Sequence, residues 1–596
     1  MDTPTATVSS QSEIQLKEAD EAQVPRQEEW RPNMHQNLII WTLAVISLIV
    51  ALDASIVVTP LNAIVTELGG DSTEGFWIGT SYLLVNAVTM PFICSISDIF
   101  GRPICLEFGL VAFTVGTIFC CTADNITMLL VGRCIQGVGG AGIHALGLVT
   151  MTDIVPLRYR PKYYTIILGG WAIGLTTGPV IGGAIVANVT WRWIFYIMFP
   201  FCAFGLVAVP WLLTLKPRES TLREKVMRVD WIGGGIFTSS ATSFLVAVSW
   251  GGVQYAWSSY QTLVPLLIGV FGFIATVFYE RRFAKHPFLR RSLFHNWSSI
   301  ITYVLAGMHG ILLYGYMYYL AFYFLAVKGF TTINAGVALL PVMIAVASAS
   351  MVTGRLITRF NHYKWAIVIG WGFGSLGSGM ALIWGTNNSA PVWVITLLVL
   401  GAGQGTVLNA QNFASQAMSK SGDEASAAAM YAFARQFGAA LGVGVGGTTF
   451  QNVMALKLRW EGLSVDIAKH AESYVGVLRT MPDGDTTRQR IKDAYVFGFL
   501  GVYEVYLGLS ILALILSMIF IKNYDMNKIL VSEHQLDGSQ LTKVFEGSSP
   551  SRGPSPSASS PVLARTSASE KVSSEAAKQG SNIAGTDKSE GASTQS

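Results

Sequence analysis

Residues 170–183 read Gly-Trp-Ala-Ile-Gly-Leu-Thr-Thr-Gly-Pro-Val-Ile-Gly-Gly, an apolar stretch in which glycine recurs at every fourth position. The recurring residues are Gly170, Gly174, Gly178 and Gly182. Positions four apart share one face of a helix, so these glycines form a stripe along which a second backbone can approach closely. Pro179 lacks a backbone N–H and marks a bend point. The stretch predicts an apolar helix packed tightly against a neighbouring helix.

The composition of the whole chain indicates where such a helix lies. Of 596 residues, 13% are charged, about half the share of soluble domains. Ten charges fall within residues 1–36 and sixteen within 522–596, which leaves only 50 for the sequence between them. A soluble core cannot absorb so much apolar sequence, so an all-α polytopic membrane protein in contact with the lipid bilayer is predicted. A net charge of +4 with no basic stripe argues against nucleic-acid binding.

Fourteen segments are apolar and long enough to cross a bilayer. They lie near residues 38–59, 75–97, 104–121, 127–148, 164–186, 193–214, 230–250, 262–279, 299–325, 333–353, 365–384, 391–415, 426–452 and 495–521. An even number places both chain ends on the same side. Short loops on that side contain eighteen Lys and Arg, whereas those on the other side contain only Arg192 and Lys328. This asymmetry predicts that both termini are cytoplasmic.

Five regions are predicted along the chain. They are a disordered cytoplasmic tail (1–36), a six-helix bundle (37–215), a linker with spans 7 and 8 (216–298), a second six-helix bundle (299–521) and a disordered cytoplasmic tail (522–596). The second bundle includes a long loop, 453–494, predicted outside despite its seven Lys and Arg because long loops weigh little in orientation. Residues 354–361 after span 10 align with 94–101 after span 2, which predicts that the bundles are repeats.

Two motifs place charge at specific points in these spans. After span 2 the chain reads Ser97-Asp-Ile-Phe-Gly-Arg-Pro, where Gly101 permits a tight turn and Asp98 can pair with Arg102 between helix ends. In span 4, Arg133 and Gln136 share a glycine-lined helical face. An arginine at that depth is costly unless it meets a carboxylate or a water-filled cavity.

These motifs together resemble the major facilitator superfamily, and within it the fourteen-span drug:proton antiporter family, especially its fungal branch. The loop after span 2 resembles the superfamily's loop 2–3 signature, with Cys94 in place of the leading glycine. The string from Gly178 through Pro179 to Gly182 and Gly183, preceded by Gly174, resembles the antiporter signature of its exporters. The span 1 sequence Leu52-Asp53-Ala-Ser is similar to the family's opening motif. The resemblance covers about residues 38–521 and implies two six-helix bundles plus two inserted helices.

The resemblance implies a proton-coupled exporter of a small hydrophobic organic molecule, such as a fungal secondary metabolite, toxin or drug, that works by alternating access. The sequence has no G-x-x-x-x-G-K-[ST] nucleotide site, so an ion gradient or the substrate's own gradient must supply the drive. The proton carrier is expected among the charges within the spans. Asp53 is the first candidate and Glu504 the second, and either one can instead be a structural partner of Arg133 or Arg435. No metal or cofactor is expected, and the protein is expected to be a monomer.

Seven residues are candidates for the substrate cavity. They are Gln136, His309, Tyr318, Tyr319, Tyr323, Gln411 and Gln416. An aromatic belt at the membrane edge, or hydrogen bonding between helices, explains these residue types equally well. Asn125, Asn188 and Asn387 begin sequons on the predicted external side and are candidate glycosylation sites.

Three other functions stay open at this point. An importer of the same fold, for example a siderophore-type porter, is disfavoured by the exporter signature around Gly178. A non-transporting membrane sensor would need a large structured cytosolic domain. A membrane-embedded enzyme would need clustered acid/base, metal-binding or nucleophilic residues, which the sequence does not offer. The plasma membrane is the expected location, and the vacuolar membrane is the alternative.

Overall fold

The computed structural model describes residues 30–527, except residues 71, 215–220, 253 and 483. Fourteen long helices occupy the positions of the fourteen apolar segments. They are α1 (Met34–Ile56), α2 (Ser72–Phe100), α3 (Arg102–Cys121), α4 (Ile126–Ile154), α5 (Arg160–Asn188), α6 (Phe199–Leu212), α7 (Trp231–Trp250), α8 (Tyr260–Arg282), α9 (Trp297–Ala326), α10 (Leu340–Phe360), α11 (Lys364–Ala381), α12 (Ala390–Met418), α13 (Glu424–Trp460) and α14 (Thr486–Phe520).

Short helices fill several of the connections between the long ones. They are Leu61–Glu67, Trp193–Tyr196, Leu222–Arg228, Thr332–Ala338, Asp466–Lys469, Ala471–Thr480 and the 3₁₀ turn Arg291–Phe294. Within the described residues no β-sheet forms, and a single bridge joins Gly251 to Tyr255. The fold is therefore all-helical.

Within the described part of the chain, twelve helices are long and apolar enough to cross a membrane. The two long helices below that threshold are α11 and α13. Helix α13 carries Arg435 and Gln436 about a third of the way along and several glycines after them, which lowers its apolar content although its length is ample. A multi-pass membrane protein follows directly from these helices.

Helix packing repeats between α1–α6 and α9–α14, which we call the first and second helix sets. In the first set α1 packs on α5, α3 on α4, and α2 on α4. Adding eight to each label gives pairs of the second set, α9 on α13, α11 on α12 and α10 on α12, and these also pack together. Helices α7 and α8 pack on each other, and α7 also contacts α2 and α13.

The two turns aligned in the sequence both contain a residue with positive φ at the same aligned position. Gly101, between α2 and α3, has φ 102°, and Asn361, between α10 and α11, has φ 57°. Asn361 is the one non-glycine residue with positive φ in the described chain, and asparagine tolerates this left-handed conformation better than most side chains. The two loops therefore share a positive φ at this position but differ in ψ, which is 147° at Gly101 and 26° at Asn361.

Both ends of the described chain meet the loop between α4 and α5. The Trp30 ring packs at a tilt against Tyr159, with ring centroids 5.8 Å apart, and Arg158 donates to the Asn527 side chain at 3.1 Å. We call this side of the bundle the termini side. Residues 522–527, predicted as part of a disordered tail, are placed by the structure without regular secondary structure; Met526 is fully buried and Tyr524 half-buried, and the other four residues are exposed. The remainder of both predicted tails, 1–29 and 528–596, lies outside the described residues.

Candidate functional site

The glycine stripe of α5 lies directly on the backbone of α1. A Cβ added to Gly174 would meet the carbonyl oxygen of Leu48 at 2.3 Å, and one added to Gly182 would meet that of Ile56 at 2.3 Å. Gly183 instead points toward Ile333, which precedes α10. The stripe brings α1 and α5 together and sets the position of Asp53, which lies near the end of α1.

Asp53 forms a buried ion pair with Arg133 of α4. The Arg133 guanidinium donates to the Asp53 carboxylate at 2.7 Å, and neither side chain is exposed. Gln136, one turn after Arg133, accepts from the guanidinium at 2.8 Å and donates to Asp53 at 3.3 Å and to Thr117 at 2.9 Å. The Tyr82 ring lies 4.5 Å from the guanidinium carbon. Four helices, α1 to α4, therefore enclose one charged cluster.

Nearly all of the polar groups in this cluster have hydrogen-bond partners. Arg133 also donates through Nε to the carbonyl oxygen of Ile78, at 3.1 Å, whereas its Nη2 has no partner among the described residues. Removing one partner of such a buried pair typically costs about 3–5 kcal/mol, because the other charge is left uncompensated.

A second charge network lies on the termini side, at the turn between α2 and α3. Arg102 pairs with Asp98 at 2.5 Å and with Asp153 of α4 at 3.1 Å, and it donates to the Ser97 hydroxyl at 2.6 Å. Gly101 provides the turn that brings Arg102 back toward Asp98. Asp153 did not emerge from the sequence, because its position at the end of α4 becomes a neighbour of this loop only in the folded chain.

The network extends to the second helix set through Arg290, in the connection between α8 and α9. Its guanidinium lies 2.7 Å from Asp423, just before α13, and 3.4 Å from Asp98. A small cavity beside this bridge is lined by Asp98, Arg102 and Cys94. The connection from the two inserted helices therefore joins the α2 and α13 ends.

A cavity lies between the two helix sets, near the middle of the bundle. Its volume is about 10 Å³, room for about one water molecule, so the sets are closely apposed here. It is lined by Ser47, His144, Tyr164, Ile167, Leu168, Trp171 and Arg435. Arg435 of α13 donates to Nε2 of His144 on α4 at 3.0 Å, and this hydrogen bond crosses from one set to the other.

Comparison with known proteins identifies the family. The model of the Major Facilitator Superfamily matches residues 43–443, which is more than half of the chain. The chain belongs to the major facilitator superfamily. Its relatives include MFS transporter L2 of Phoma sp., 39% identical over 84% of this chain and 84% of that protein. Efflux pump FUS6 of Gibberella moniliformis is 32% identical over 84% of this chain and 90% of that protein.

Further comparisons agree with this membership. The MFS-type efflux pump LUC4 of Fusarium sp. is 31% identical over 91% of this chain and 97% of that protein. Among solved structures, a bacterial homologue of the human lysosomal transporter Spinster, in an inward-facing and occupied conformation, superposes with a TM-score of 0.53 over 84% of this chain and 99% of that one. At 14% identity, this likeness shows the fold alone. A multi-pass superfamily transporter is therefore established, and the expectation of a transporter with fungal efflux relatives is confirmed.

None of the three tyrosines considered for the cavity of this superfamily member lines the cavity beside Arg435. The Tyr319 hydroxyl donates to the carbonyl oxygen of Val443 at 2.8 Å, and that of Tyr323 donates to Gly385 at 2.6 Å. Both belong to an aromatic cluster inside the second set. Tyr318 donates to the Glu472 carboxylate in the connection between α13 and α14, away from the cavity lining. Tyr314, one turn before Tyr318, is the tyrosine of this run that contacts Trp171, and the sequence did not distinguish it.

The other polar candidates are enclosed by helices. His309 shares a 3.0 Å hydrogen bond with the Gln404 carbonyl oxygen, and Gln136 belongs to the Asp53 cluster. Gln416 accepts from Arg160 at 2.8 Å and so joins the two sets on the termini side. Gln411 is fully buried, and neither atom of its amide has a partner in the described chain. None of these four residues lines the cavity beside Arg435.

Glu504 is exposed on the outer face of α14 and makes no part of the buried charge clusters. It forms no ion pair with Arg133 or Arg435, because α14 turns this position outward, away from the interior of the second set. The sequon asparagines Asn125, Asn188 and Asn387 are all exposed, on the side opposite to the termini.

Proposed function

We propose that this protein is a proton-coupled exporter, an antiporter that moves a small hydrophobic organic molecule out of the cell by alternating access. The observation that supports it is the Asp53–Arg133–Gln136 cluster, a carboxylate and a guanidinium paired at 2.7 Å with no exposure. A carboxylate held this way gains or loses a proton only when its surroundings change, which is the requirement for coupling a proton to a conformational step. Efflux pumps among the fungal relatives support the direction.

In this proposal all fourteen long helices cross the membrane, and the termini side faces the cytoplasm. The domains are the N-terminal six-helix bundle (37–215), the linker with α7 and α8 (216–298) and the C-terminal six-helix bundle (299–521). The repeated packing of the helix sets supports this division, and the excess of Lys and Arg in the termini-side loops supports the orientation. Rocking of one bundle against the other would open the cavity between them to each side in turn.

Asp53 is proposed as the proton carrier, with Arg133 as the partner that holds it ionised until a proton arrives. When Asp53 is protonated, Arg133 loses its counter-charge, and the α1–α4 packing around the pair must rearrange. Gln136 can hydrogen-bond either form of the carboxyl group, because its amide both donates and accepts. We propose Asn125, Asn188 and Asn387 as external glycosylation sites, the plasma membrane as the location and the monomer as the working unit. A fungal secondary metabolite or toxin is the proposed cargo.

The test is Asp53→Asn, which mimics the protonated carboxyl group. Inside-out vesicles with an acidified lumen are given three hydrophobic fluorescent dyes, one neutral, one cationic and one anionic. The dye that the wild type accumulates is then used for all variants. We expect Asp53→Asn to lose uphill accumulation, by at least about 10-fold, while dye exchange at equal pH continues. Exchange needs no net proton movement, so it reports that the variant is folded.

Glu504→Gln is the matched control, because it neutralises the other intramembrane carboxylate considered as a carrier. We expect it to accumulate dye as the wild type does, since Glu504 lies on the outer face of α14. Undiminished uphill accumulation by Asp53→Asn would refute the proposed carrier. Loss of accumulation in Glu504→Gln alone would transfer the role to Glu504.

A further inference from the structure

Arg435 is a buried cation without a carboxylate beside it. Its side chain is 4% exposed, and its Nε has no hydrogen-bond partner in the described chain. No Asp or Glu of the described residues forms an ion pair with it, whereas Arg133 pairs with Asp53 and Arg102 with Asp98. Arg160 is also buried without a carboxylate at ion-pair distance, but its Nε and both terminal nitrogens donate to oxygens of Val155, Gln416 and Thr152, whereas Arg435 keeps a free Nε.

The one side-chain hydrogen bond seen for Arg435 is to an uncharged acceptor. A guanidinium only donates, so Nε2 of His144 accepts the 3.0 Å hydrogen bond and carries no proton of its own. An imidazole in that state offers no negative charge. An isolated ion away from water is costly unless a counter-charge is supplied, and the protein supplies none at hydrogen-bonding distance.

Aromatic rings form the wall around this cation. The Arg435 guanidinium carbon lies 5.9 Å from the ring centroid of Trp171, and Trp171 packs edge-to-face on Tyr314, with centroids 6.5 Å apart. Tyr164 lines the same cavity. Residues of α4, α5, α9 and α13 therefore converge here, from both helix sets. Aromatic walls favour a flat, ring-containing ligand.

We infer that the cavity at Arg435 binds an organic anion, with the carboxylate or another acidic group of the substrate on the Arg435 guanidinium and its ring system between Trp171 and Tyr314. This inference rests on the proposed export function for its biological meaning, but the binding site itself does not require proton coupling. A guanidinium can hold a carboxylate by two parallel hydrogen bonds, and the free Nε donor is available for one of them. The cavity is nearly closed in this structure, so binding requires the helix sets to separate.

The experiment measures equilibrium binding to the purified full-length protein in detergent, with no gradient. Three probes share a naphthalene ring and differ in charge: 1-naphthoate, 1-naphthamide and 1-naphthylmethylammonium. Equilibrium dialysis gives a dissociation constant for each. We expect 1-naphthoate to bind at least about 10-fold more tightly than the amide, and the ammonium to bind most weakly. Equal affinity of the three probes, or preference for the ammonium, would overturn the inference.

Variants test whether Arg435 causes the preference for 1-naphthoate over 1-naphthamide. Arg435→Gln should reduce the naphthoate-to-amide ratio to within about 3-fold of unity, while amide binding stays unchanged. Arg435→Lys should keep part of the preference, because the positive charge remains. Arg459→Gln is the matched control: it removes the same charge from an exposed position near the end of the same helix, and it should leave the ratio intact.

Each outcome is decisive for binding and separate from the transport test. A wild-type ratio retained in Arg435→Gln would overturn the role of Arg435. Should Arg435→Gln not fold, the Arg435→Lys variant and the wild-type ratio decide instead. Charge-selective binding together with failed proton-driven accumulation would refute the antiport proposal and leave the anion site standing. Proton-driven accumulation together with binding that does not depend on the charge of the probe would refute the anion site alone.

Discussion

At the scale of single residues, Gly178 is the tightest contact between α5 and α1. A Cβ at this position would lie 1.9 Å from the Ser55 hydroxyl oxygen and 2.9 Å from the backbone nitrogen of Ile56. The hydroxyl could rotate away, but the backbone of α1 could not. We expect Gly178→Ala to destabilise the protein by about 1–3 kcal/mol, the usual cost of overpacking. Thermal unfolding in detergent, followed by size-exclusion chromatography, measures this.

Gly169→Ala is the control for that prediction. Gly169 belongs to the same helix, and an added Cβ there would have no atom within 4 Å. The unfolding temperature of the Gly169→Ala variant should match that of the wild type. Similar losses in both variants would mean that the helix is sensitive to any added methyl group, and the α1–α5 contact would not be the cause.

Several site residues could be predicted from the sequence because their chemistry requires a partner. Asp53 and Arg133 are charges in apolar spans, so each implied an opposite charge, and the structure pairs them. The periodicity of α4 placed Gln136 on the face of Arg133, but it could not say that this face turns into α1–α3 and away from the cavity. Helix periodicity likewise could not show that the face of α14 carrying Glu504 is exposed. An isolated helix pattern gives relative faces, and only the neighbouring helices decide which face is buried.

At the scale of elements, the connection between α8 and α9 acts on the termini-side network through Arg290. Its bonds to Asp423 and Asp98 hold the beginning of α13 near the end of α2. We expect the beginning of α13 and the end of α2 to separate more often in Arg290→Ala, although Arg102 still pairs with Asp98 and Asp153. The nearby Cys94, buried at 6% exposure and lining the adjacent cavity, provides the readout.

The measurement is the rate at which a membrane-permeant maleimide modifies Cys94, read by peptide mass spectrometry. The rate should rise several-fold in Arg290→Ala. Arg291→Ala removes the neighbouring charge, which is exposed and turned toward the Arg281 carbonyl oxygen, and it should leave the rate unchanged. An unchanged rate in both variants would show that Arg290 does not hold the junction closed.

A different ion-pair group joins the ends of α13 and α14 on the opposite side. Glu461 pairs with Lys457 at 2.9 Å and with Arg490 at 2.8 Å, and hydrogen bonds from these two cations lower the pKa of the Glu461 carboxyl group. A carboxyl group with a lowered folded-state pKa adds stability above its ordinary pKa of about 4.3. That stability is lost as the pH falls through the lowered value.

The resulting prediction compares wild type with Glu461→Gln by hydrogen exchange at the adjoining ends of α13 and α14. The variant should exchange faster than the wild type at pH 6 to 8, and the difference should shrink below about pH 4.3 and vanish once the pH is below the lowered pKa of Glu461. Asp466→Asn breaks a pair with Lys469 inside one short helix and should not change exchange at those ends. A difference that persists at low pH would contradict the ion-pair explanation.

At the scale of the whole molecule, the two helix sets use glycine in the same way. Helix α13 repeats the stripe of α5: a Cβ on Gly438 would lie 2.0 Å from the Gly307 carbonyl oxygen, and one on Gly442 would lie 2.4 Å from that of Ile311. The same spacing of four residues is present in the sequence at Gly438, Gly442 and Gly446. The way the sets meet could not be predicted from it, because the contacts of Arg160 with Gln416 and of Arg435 with His144 join residues far apart in the chain.

Gly354 of α10 differs from Gly178 because its closest neighbour belongs to the other helix set. A Cβ there would lie 2.3 Å from the carbonyl oxygen of Pro161 on α5. Gly354→Ala should therefore leave each set folded, with an unfolding temperature within a few degrees of wild type, but should keep the termini-side ends of α5 and α10 apart. Transport should fall by at least about 10-fold, because alternating access requires that side to close.

Spin labels at Lys162 and Arg355, in a cysteine-free background, would report the change as a longer distance between α5 and α10. Gly372→Ala on α11, where an added Cβ has no atom within 4 Å, should preserve the distance and the transport rate. The same added methyl group thus has two expected effects: within a set it lowers stability, and between sets it shifts the conformational equilibrium. A Gly354→Ala protein that unfolds early with unchanged label distances would mean that the two sets form one rigid unit, and alternating access by their relative motion would then fail.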